Sequence, residues 1–424
     1  MFPRRLHRLL PYILLLVATC LGLFQPVFSQ TYRSNLGTIR KTVVSEAIPI
    51  AVLAEPRLAP LLKQAFASHG AYRLVEPAAA RWQFQFTMLD SQKVDLTIAS
   101  GSPQQDHFRE AVTGINLRDA TLRAADRAVL ETTETPGYFA GLLTFISGTP
   151  RQSEVFVSDL FFNNPRQITY DQSRSLSPHW SPDGETLLYT SYFKTGYPDI
   201  FKIAIKSGVR QLFIGFKGTN TGATYSPVGD RVAMILSGTG NPELYLSDSL
   251  GHAIQRLTTT RGIESDPTWS SKGDSILFSS TQSGGAQIYQ IGIGGNPMRR
   301  IPTRISGQCT EPAGNPLHSD QIAFTALMGR EFEIALYDAQ TGRSTVLTQG
   351  PGDAVEPNWT QDGRHLIYTA RRGASRRLHL LDTITGKTTP LPHDNLGSAW
   401  QADYYYPPEA VNKRNNRSTK PEYD

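Results

Sequence analysis

The sequence predicts a mainly β fold, a six-bladed β-propeller preceded by a small α/β domain. The stretch HWSPDGETLLYTS, His179 to Ser191, joins an aromatic residue, an Asp-Gly turn and an apolar strand, and variants of it recur along the chain. The copies are spaced by about 44 residues, which is the length of one four-stranded propeller blade. Incomplete copies stand at both ends of the repeated region, as closure of a ring requires.

The first residues have the order of regions that is typical of a secretory signal peptide. Three arginines precede an apolar run from Tyr12 to Leu23, and small residues follow up to Ser29. Gln25 and Pro26 interrupt the apolar run before it reaches the roughly 20 residues of a membrane span, which argues against a membrane anchor. We therefore predict a signal peptide over residues 1–29 and export of the remaining chain.

Charge and cysteine content restrict the classes of partner. The formal net charge is +5, and the predicted signal peptide accounts for three of the cationic side chains and no acid, so residues 30–424 carry +2. This balance does not indicate a nucleic-acid partner. Of the two cysteines only Cys309 lies after the signal peptide, so no internal disulfide is expected.

Residues 30–140 do not contain the repeat, and their pattern predicts a small α/β domain. The elements expected there are a buried strand at Ile48–Ala54, a helix at Pro56–Gly70, a pair of strands within Arg81–Gly101 and a helix at Asn116–Gly137. Asn116 is expected to cap the second helix, because its side chain can accept a hydrogen bond from a free backbone N–H of the first turn.

The aromatic position of the repeat sets the predicted blade register. It is occupied by Trp180, Tyr225, Trp269, Gly314, Trp359 and Trp400. A half-repeat at Leu142–Asp159 lacks its first strand, and the stub at Trp400 lacks the rest of a blade. Joining the two halves predicts six blades over residues 141–406, with the C-terminal strand closing the ring. Residues 407–424 are polar and are predicted to be a disordered tail.

The repeated motif itself indicates architecture and not catalysis. Its aromatic residue supplies a large apolar surface for packing between blades, and its Asp-Gly pair suits a tight turn. The sequence GKT at Gly386–Thr388 lacks the first glycine of a phosphate loop, since position 381 is Leu381. The basic run Arg371–Arg377 lies in a blade hairpin, and the histidines lack metal-ligand spacing. We therefore expect no enzyme, cofactor, metal or nucleic-acid site.

The order of the segments carries a resemblance to a known family. A signal peptide, an α/β domain, the linker TPGYFAGLLTFIS (Thr135 to Ser147) and six propeller units follow one another. This arrangement resembles the TolB family, the periplasmic propeller proteins of the Tol-Pal envelope system. The resemblance implies a monomeric periplasmic scaffold, peripheral to the envelope membranes. It also implies binding of the lipoprotein Pal on the propeller and of TolA through the N-terminal region, in support of outer-membrane integrity and constriction during cell division.

The resemblance also implies two sets of site residues. Pal would dock over one mouth of the propeller channel, near Thr219, Asn220, Ser265, Asp266, Thr310, Glu311, Val355 and Glu356. TolA would bind the segment Ile39, Arg40, Lys41, Thr42 and Val43. Asp266, Glu311 and Glu356 share one register in successive blades. They would either gather negative charge against a basic or amide group, or only orient the start of each strand and be solvated.

A function from another class remains open at this level. An exported propeller could instead bind a small glycan or peptide, or contain an unrecognised lyase or hydrolase site in its channel. The N-terminal domain distinguishes the two hypotheses, because a scaffold with two partners needs that domain and a ligand-binding propeller does not.

Overall fold

A computed structural model describes residues 47–101, 103–295 and 297–408, without the side chain of Asp394. The predicted signal peptide and the tail beyond Pro408 lie outside the described residues. Within the described ranges no helix combines the length and the apolar composition that a membrane crossing needs.

The α/β region is a five-stranded mixed sheet with strand order β2-β1-β3-β4-β5 and two helices. The strand β1 is parallel to both β2 and β3, and the remaining pairs are antiparallel. In chain order the elements are β1 (Ile48–Ala54), α1 (Ala59–Ser68), β2 (Tyr72–Leu74), β3 (Trp82–Asp90), β4 (Lys93–Ser100), β5 (Gln105–Thr113) and α2 (Leu117–Thr133). A single 3₁₀ turn, Pro77–Ala79, lies between β2 and β3.

Local sequence explains most of these elements. The side chain of Asn116 accepts a hydrogen bond of 3.0 Å from the backbone N–H of Asp119, so α2 begins with the expected cap. Ala120, Ala124 and Ala128 are fully buried on one face of this helix. The strand β5 was not predicted from the sequence, because it is mostly exposed on both faces and shows no apolar alternation.

The repeats form six four-stranded sheets, and the first strand of each contacts the first strands of its two neighbours in a ring. The half-repeat before blade 1 supplies β6 (Leu142–Gly148), β7 (Ser153–Asp159) and β8 (Arg166–Gln167). Blade 1 consists of β9 (Ser175–Trp180), β10 (Thr186–Ser191), β11 (Asp199–Ala204) and β12 (Arg210–Ile214), and blade 2 of β13 (Asn220–Tyr225), β14 (Arg231–Leu236), β15 (Glu243–Asp248) and β16 (Gln255–Arg256). Blade 3 consists of β17 (Glu264–Trp269), β18 (Ser275–Ser280), β19 (Gln287–Gly292) and β20 (Arg299–Arg300), and blade 4 of β21 (Cys309–Gly314), β22 (Gln321–Met328), β23 (Glu331–Asp338) and β24 (Arg343–Val346). Blade 5 consists of β25 (Asp353–Trp359), β26 (His365–Arg372), β27 (Ser375–Asp382) and β28 (Thr388–Pro390).

The ring closes as the two half-repeats predict. A 3₁₀ turn, Asp394–Leu396, precedes the last strand, β29 (Ala399–Tyr405). This strand pairs antiparallel with β6, for example through Tyr405 and Leu142, and is the inner strand of a sixth sheet ordered β29-β6-β7-β8. We call this sheet the closing blade. Closure leaves no inner strand without a neighbour, so the edges that favour aggregation are removed.

Apolar side chains fill the spaces between blades. Trp269 is 6 % exposed and packs with Ala233 and Leu244 of the preceding blade. Its indole N–H donates to the carbonyl oxygen of Thr224 across the same boundary, at 3.0 Å. The aromatic position of the repeat therefore has the inter-blade packing role that the sequence predicts.

The register predicted for the closing blade was wrong by four residues. In blade 5 the repeated aromatic residue, Trp359, pairs with Leu366, the second residue of β26. In the closing blade the second residue of β6 is Leu143, and it pairs with Tyr404. Tyr404 follows Trp359 by 45 residues, the regular repeat length, whereas Trp400 follows it by 41. Trp400 is still buried, at 5 % exposure, but it is not the repeated aromatic residue.

The α/β region and the propeller share one apolar core. Phe66 of α1 and Phe84 of β3 belong to the same buried cluster as the linker residue Phe139 and the blade 5 residues Ile367 and Leu378. Because one core spans both parts, the α/β region is fixed to blade 5 by apolar packing as well as by polar contacts.

Candidate partner-binding site in the propeller channel

The inner strands of the six blades line a central channel, and each strand is interrupted by a register shift of the β-bulge type. The residue at this shift has a left-handed φ between 47° and 64° in every blade. We call this set the channel ring, and it consists of Ser177, Gly222, Asp266, Glu311, Glu356 and Gln401. Left-handed backbone is strained for residues other than glycine, so surrounding contacts must hold the ring in place.

Three acids that the sequence singled out are members of this ring. Asp266, Glu311 and Glu356 occupy equivalent positions in blades 3, 4 and 5. The blades on the other side of the channel contribute uncharged ring residues. Acidic side chains are therefore concentrated on one half of the channel wall.

The residues assigned to blade 2 were placed in the wrong register. Thr219 and Asn220 lie two residues before the equivalents of the other pairs, which are Thr221 and Gly222. Asn220 is fully buried, and its amide donates to the carbonyl oxygen of Phe216 at 2.8 Å. Asn220 therefore supports the loop between blades and does not face the channel with the ring.

The residues that precede the ring acids differ from one another in exposure. Ser265 and Thr310 are half-buried, and the hydroxyl of Ser265 donates to the carboxylate of Asp266 at 2.8 Å. Val355 is 1 % exposed. Because its side chain is buried, Val355 offers a partner no surface of its own.

Hydrogen bonds between neighbouring blades hold the ring. The backbone N–H of Glu356 donates to the carboxylate of Glu311 at 2.8 Å, and the N–H of Gln401 donates to the carboxylate of Glu356 at 3.3 Å. The N–H of Ser177 donates to the side-chain oxygen of Gln401 at 3.0 Å. Each of these side chains therefore satisfies the displaced backbone of the next blade, which stabilises the left-handed conformation.

Blade 3 makes the corresponding contact through a hydroxyl group. The backbone N–H of Glu311 donates to the hydroxyl oxygen of Ser279 at 3.1 Å, and this hydroxyl donates to the carboxylate of Asp266 at 3.3 Å. Hydroxyl groups also assist in blades 4 and 5, where Thr325 and Thr369 donate to Glu311 and Glu356 at 2.6 and 2.7 Å.

The protein that surrounds the channel shifts the titration of the ring acids. Burial raises the pKa of Glu311 to about 8, and the neighbouring charges of Glu356 and Asp266 add to this shift. Burial also raises the pKa of Asp266 and of Glu356. Asp266 is nevertheless exposed to solvent. A cationic or N–H donor that reached these acids would relieve their mutual repulsion.

The sequence did not identify the remaining ring residues. Ser177, like Asp266, is followed by proline, and both Ser177 and Gln401 lie at the regular spacing from the ring acids. This spacing is the signal that could have found them. Gly222 and Gln401 were missed because the residues of blade 2 and of the closing blade were placed in the wrong register. Ser177 was overlooked although Trp180 gives its blade the correct register.

Two other predictions concern sites outside the channel. The proposed TolA-binding segment, Ile39–Val43, lies outside the described residues. Among the described residues one group of potential metal ligands comes together, with ligand atoms of His69, Asp362 and His365 within 4.8 Å of one another. It lies against the guanidinium group of Arg364, whose positive charge disfavours a metal cation.

Comparisons with known proteins agree with this architecture. The family model described as the TolB beta propeller domain matches residues 130–402. The curated Tol-Pal system protein TolB of Bordetella pertussis is 29 % identical over 219 residues, which is 51 % of this chain and 47 % of that protein. The Bordetella parapertussis protein of the same name matches equally well. The chain thus spans about half the length of these curated relatives.

A solved structure extends the likeness over most of the fold. The crystal structure of TolB from Acinetobacter baumannii superposes with a TM-score of 0.76 at 22 % identity, over 85 % of this chain and 96 % of that one. At this identity the likeness concerns the fold, and the family assignment rests on the matched propeller domain. Because the matched propeller domain covers more than half of this chain, the chain belongs to the TolB β-propeller family.

Proposed function

We propose that the protein is a periplasmic scaffold of a Tol-Pal system, without enzymatic activity, that binds a Pal-type lipoprotein over the mouth of its propeller channel. The match to the TolB beta propeller domain and the similarity to curated TolB proteins support this role. The observation that carries the proposal is the cluster of Asp266, Glu311 and Glu356 on one half of the channel ring.

The ring acids are suited to recognising a basic or amide group. Glu311 and Glu356 each accept hydrogen bonds from protein donors, yet burial still raises the pKa of both, and repulsion from Glu356 and Asp266 adds to the shift at Glu311. A partner that places a cation or an N–H donor in the mouth would supply the missing compensation. The ring is built from backbone held between blades, so the site is rigid before the partner arrives.

The N-terminal segment Ile39–Val43 would bind a TolA-type partner. A scaffold with two partners would couple the outer membrane to the inner envelope, and so support outer-membrane integrity and constriction during cell division. Arg40 and Lys41 give this segment a basic centre, which suits an acidic partner surface.

Charge reversal at the ring tests the Pal-type site. Titration calorimetry should show that Asp266→Lys and Glu311→Lys each weaken binding to purified Pal about thirtyfold or more, because a desolvated pair that loses one partner costs about 2 to 5 kcal/mol. Glu185→Lys makes the same charge change in the exposed turn at the other end of β9 and should bind like the parent.

Thermal melting of every variant separates lost binding from lost fold. Parent-like affinity together with a parent-like melting curve would place the docking site away from the ring acids. Absence of binding between the parent protein and Pal would contradict the scaffold role itself. In a parallel titration against TolA, replacing Arg40 and Lys41 by alanine should weaken binding, whereas Glu311→Lys should not.

A further inference from the structure

The two ends of the propeller carry different sets of loops. At one end, which we call the entry face, lie the hairpins between the second and third strands of each blade and the connections that lead into the next inner strand. At the other end, the opposite face, lie the turns that follow the inner strands. The α/β region packs at the opposite face, where Gln361 donates to the linker residue Gly137 and Gly70 lies against Asp382. Among the described residues the α/β region therefore leaves the entry face uncovered.

The loops of the entry face are basic. They contain seven exposed cations, which we call the basic rim: Arg151, Arg174, Lys194, Lys217, Arg261, Arg304 and Arg330. The same loops contain two acids, Asp171 and Asp394. The carboxylate of Asp171 is bound by Arg210 and has no exposed surface. At the loop ends, Glu331 and Asp353 are half-buried and accept backbone hydrogen bonds between blades 4 and 5.

The loops of the opposite face have the reverse balance of charge. Six acids lie in them, namely Asp183, Glu185, Asp230, Asp274, Asp320 and Asp362. They contain four cations, namely Lys206, Lys272, Arg364 and Lys387. Positive charge is thus concentrated at the end of the propeller that the α/β region leaves uncovered.

The basic rim surrounds the channel and does not form a single pocket. Arg151 comes from the closing blade, Lys194 from blade 1 and Arg330 from blade 4, and the other four residues come from connections between blades. Arg372, the last residue of β26, is exposed beside the hairpin of blade 5. A small ligand could contact only a few of these side chains, whereas a flat anionic surface can contact all of them at once.

Exposed aromatic side chains lie at the same face. Within the described residues, four Tyr, Phe or Trp side chains are more than a third exposed, and all four are in entry-face loops around blade 1: Tyr170, Phe193, Tyr197 and Phe216. Phe193 and Phe216 are each followed directly by a lysine of the basic rim. Aromatic and cationic side chains therefore share one surface.

The fold itself does not require these aromatic residues. The corresponding hairpins of blades 2 and 3, residues 237–242 and 281–286, contain neither aromatic nor charged residues. In blade 1 the guanidinium group of Arg210 lies 3.9 Å from the ring centroid of Phe193, and the ring of Phe201 lies 4.9 Å from it. Phe193 is thus held in place while it remains exposed, which is typical of an interaction surface.

We propose that the entry face binds an anionic phospholipid surface. The basic rim contacts the headgroups, and the aromatic side chains of blade 1 lie at the boundary between headgroups and acyl chains, where such rings are favoured. A peptidoglycan strand is anionic as well, but a single chain would meet only one segment of the rim, and phenylalanine rings gain more from an apolar boundary. The inference concerns loops outside the channel ring and does not rest on the Pal-type site.

Cosedimentation with large unilamellar vesicles measures this binding. The protein is used without its predicted signal peptide, because the apolar run over residues 12–23 would bind lipid by itself. It should bind vesicles of phosphatidylglycerol and phosphatidylcholine in equal parts, and added NaCl should weaken this binding by screening the charges. Vesicles of phosphatidylcholine alone should bind far less protein.

Paired lysine substitutions test the basic rim. A cation close to an anionic membrane strengthens binding by about fivefold, so Lys194→Gln together with Lys217→Gln should weaken binding about 25-fold. Lys206→Gln together with Lys272→Gln removes the same charge from exposed positions of the opposite face and should bind like the parent.

Paired apolar substitutions test the aromatic side chains. Tyr197→Ser together with Phe216→Ser should weaken binding, and the difference from the parent should persist at high salt, because it comes from apolar contact. Val228→Ser together with Leu250→Ser removes exposed apolar side chains from the opposite face and should leave binding unchanged.

Absence of binding between the parent protein and the anionic vesicles would overturn the inference, and so would parent-like binding by the Lys194→Gln, Lys217→Gln variant. Thermal melting checks that each variant is folded, and Arg261→Gln with Arg304→Gln replaces the lysine pair if that pair does not fold. Binding of the parent to purified peptidoglycan sacculi, without binding to the vesicles, would assign the basic rim to the cell wall and likewise overturn the inference.

Discussion

At the scale of single residues, the aromatic position of the repeat supplies a hydrogen-bond donor as well as an apolar surface in three of the six blades. The indole N–H groups of Trp269 and Trp359 donate to carbonyl oxygens of the preceding blade, each at 3.0 Å. Tyr404 fills the same position in the closing blade, and its hydroxyl donates to the carbonyl oxygen of Tyr138 at 2.8 Å. The hydrogen bond of the Tyr404 hydroxyl therefore joins the closing blade to the linker and not to another blade.

Removal of single hydroxyl groups tests this role. Tyr404→Phe should lower the free energy of unfolding by about 1 kcal/mol, because the carbonyl group of Tyr138 loses its partner in a protein interior. Tyr225 is the matched control, since it has the same blade position but its hydroxyl has no hydrogen-bond partner among the described residues. Tyr225→Phe should be neutral within about 0.5 kcal/mol.

Urea unfolding of the two variants and the parent gives both values. Equal destabilisation by the two substitutions would show that the Tyr404 hydroxyl adds nothing beyond the aromatic ring, and that the linker is held by other contacts.

At the scale of elements, the strand β29 decides whether the propeller is a closed ring. It pairs with β6 on one side and contacts the inner strands β9 and β25 on the others. Without it the closing blade would lack its inner strand, and β6 would present a free edge. Since the two halves of this blade lie at opposite ends of the repeated region, closure joins the most distant parts of the propeller.

Truncation tests this role of β29. A chain that ends at Ser398 should lose cooperative unfolding and aggregate, because the exposed edge of β6 can pair with other copies. A chain that ends at Pro408 retains every described strand and should melt within about 2 °C of the parent. Differential scanning calorimetry with light scattering distinguishes them, and a soluble, cooperative chain ending at Ser398 would contradict the closure argument.

The sequence was sufficient for elements whose signal is local and repeated. The period, the Asp-Gly turns and the aromatic positions predict six blades and their closure. They could not set the register of β29, because this strand contains two aromatic residues that suit the repeat position. The sequence favours Trp400, whereas the position is occupied by Tyr404, four residues later. The contact between His69 and His365 was also out of reach, since the two residues are about 300 positions apart and only the docking of α1 on blade 5 brings them together.

At the scale of the whole molecule, the channel ring exists only because all six blades close. Four of the six ring residues donate a backbone hydrogen bond to a side chain of a neighbouring blade, and the acids of the ring lie close enough to repel one another. Their repulsion is a property of the assembled propeller, because in the unfolded chain they are about 45 residues apart. Closure therefore brings together charges that oppose it, and a partner that neutralises them would favour the closed state.

This opposition predicts the pH dependence of stability. The pKa of Glu311 is about 8 in the folded protein, mainly because of burial, against an ordinary value of 4.5. The folded state therefore binds this proton more tightly, and the associated stabilisation is complete below about pH 4.5 and is lost as the pH rises through about 8.

Glu311→Gln removes the charge, and its amide oxygen can still accept from Thr325 and from the backbone N–H of Glu356. The variant should lose less stability than the parent between pH 5 and 9, with a smaller dependence remaining from Asp266 and Glu356. Urea unfolding at pH 5, 7 and 9 measures the difference, with Glu185→Gln in the exposed turn of blade 1 as the control. Parallel pH profiles for the parent and Glu311→Gln would mean that the channel solvates this carboxylate as well as the unfolded chain does, and that the acids do not oppose closure.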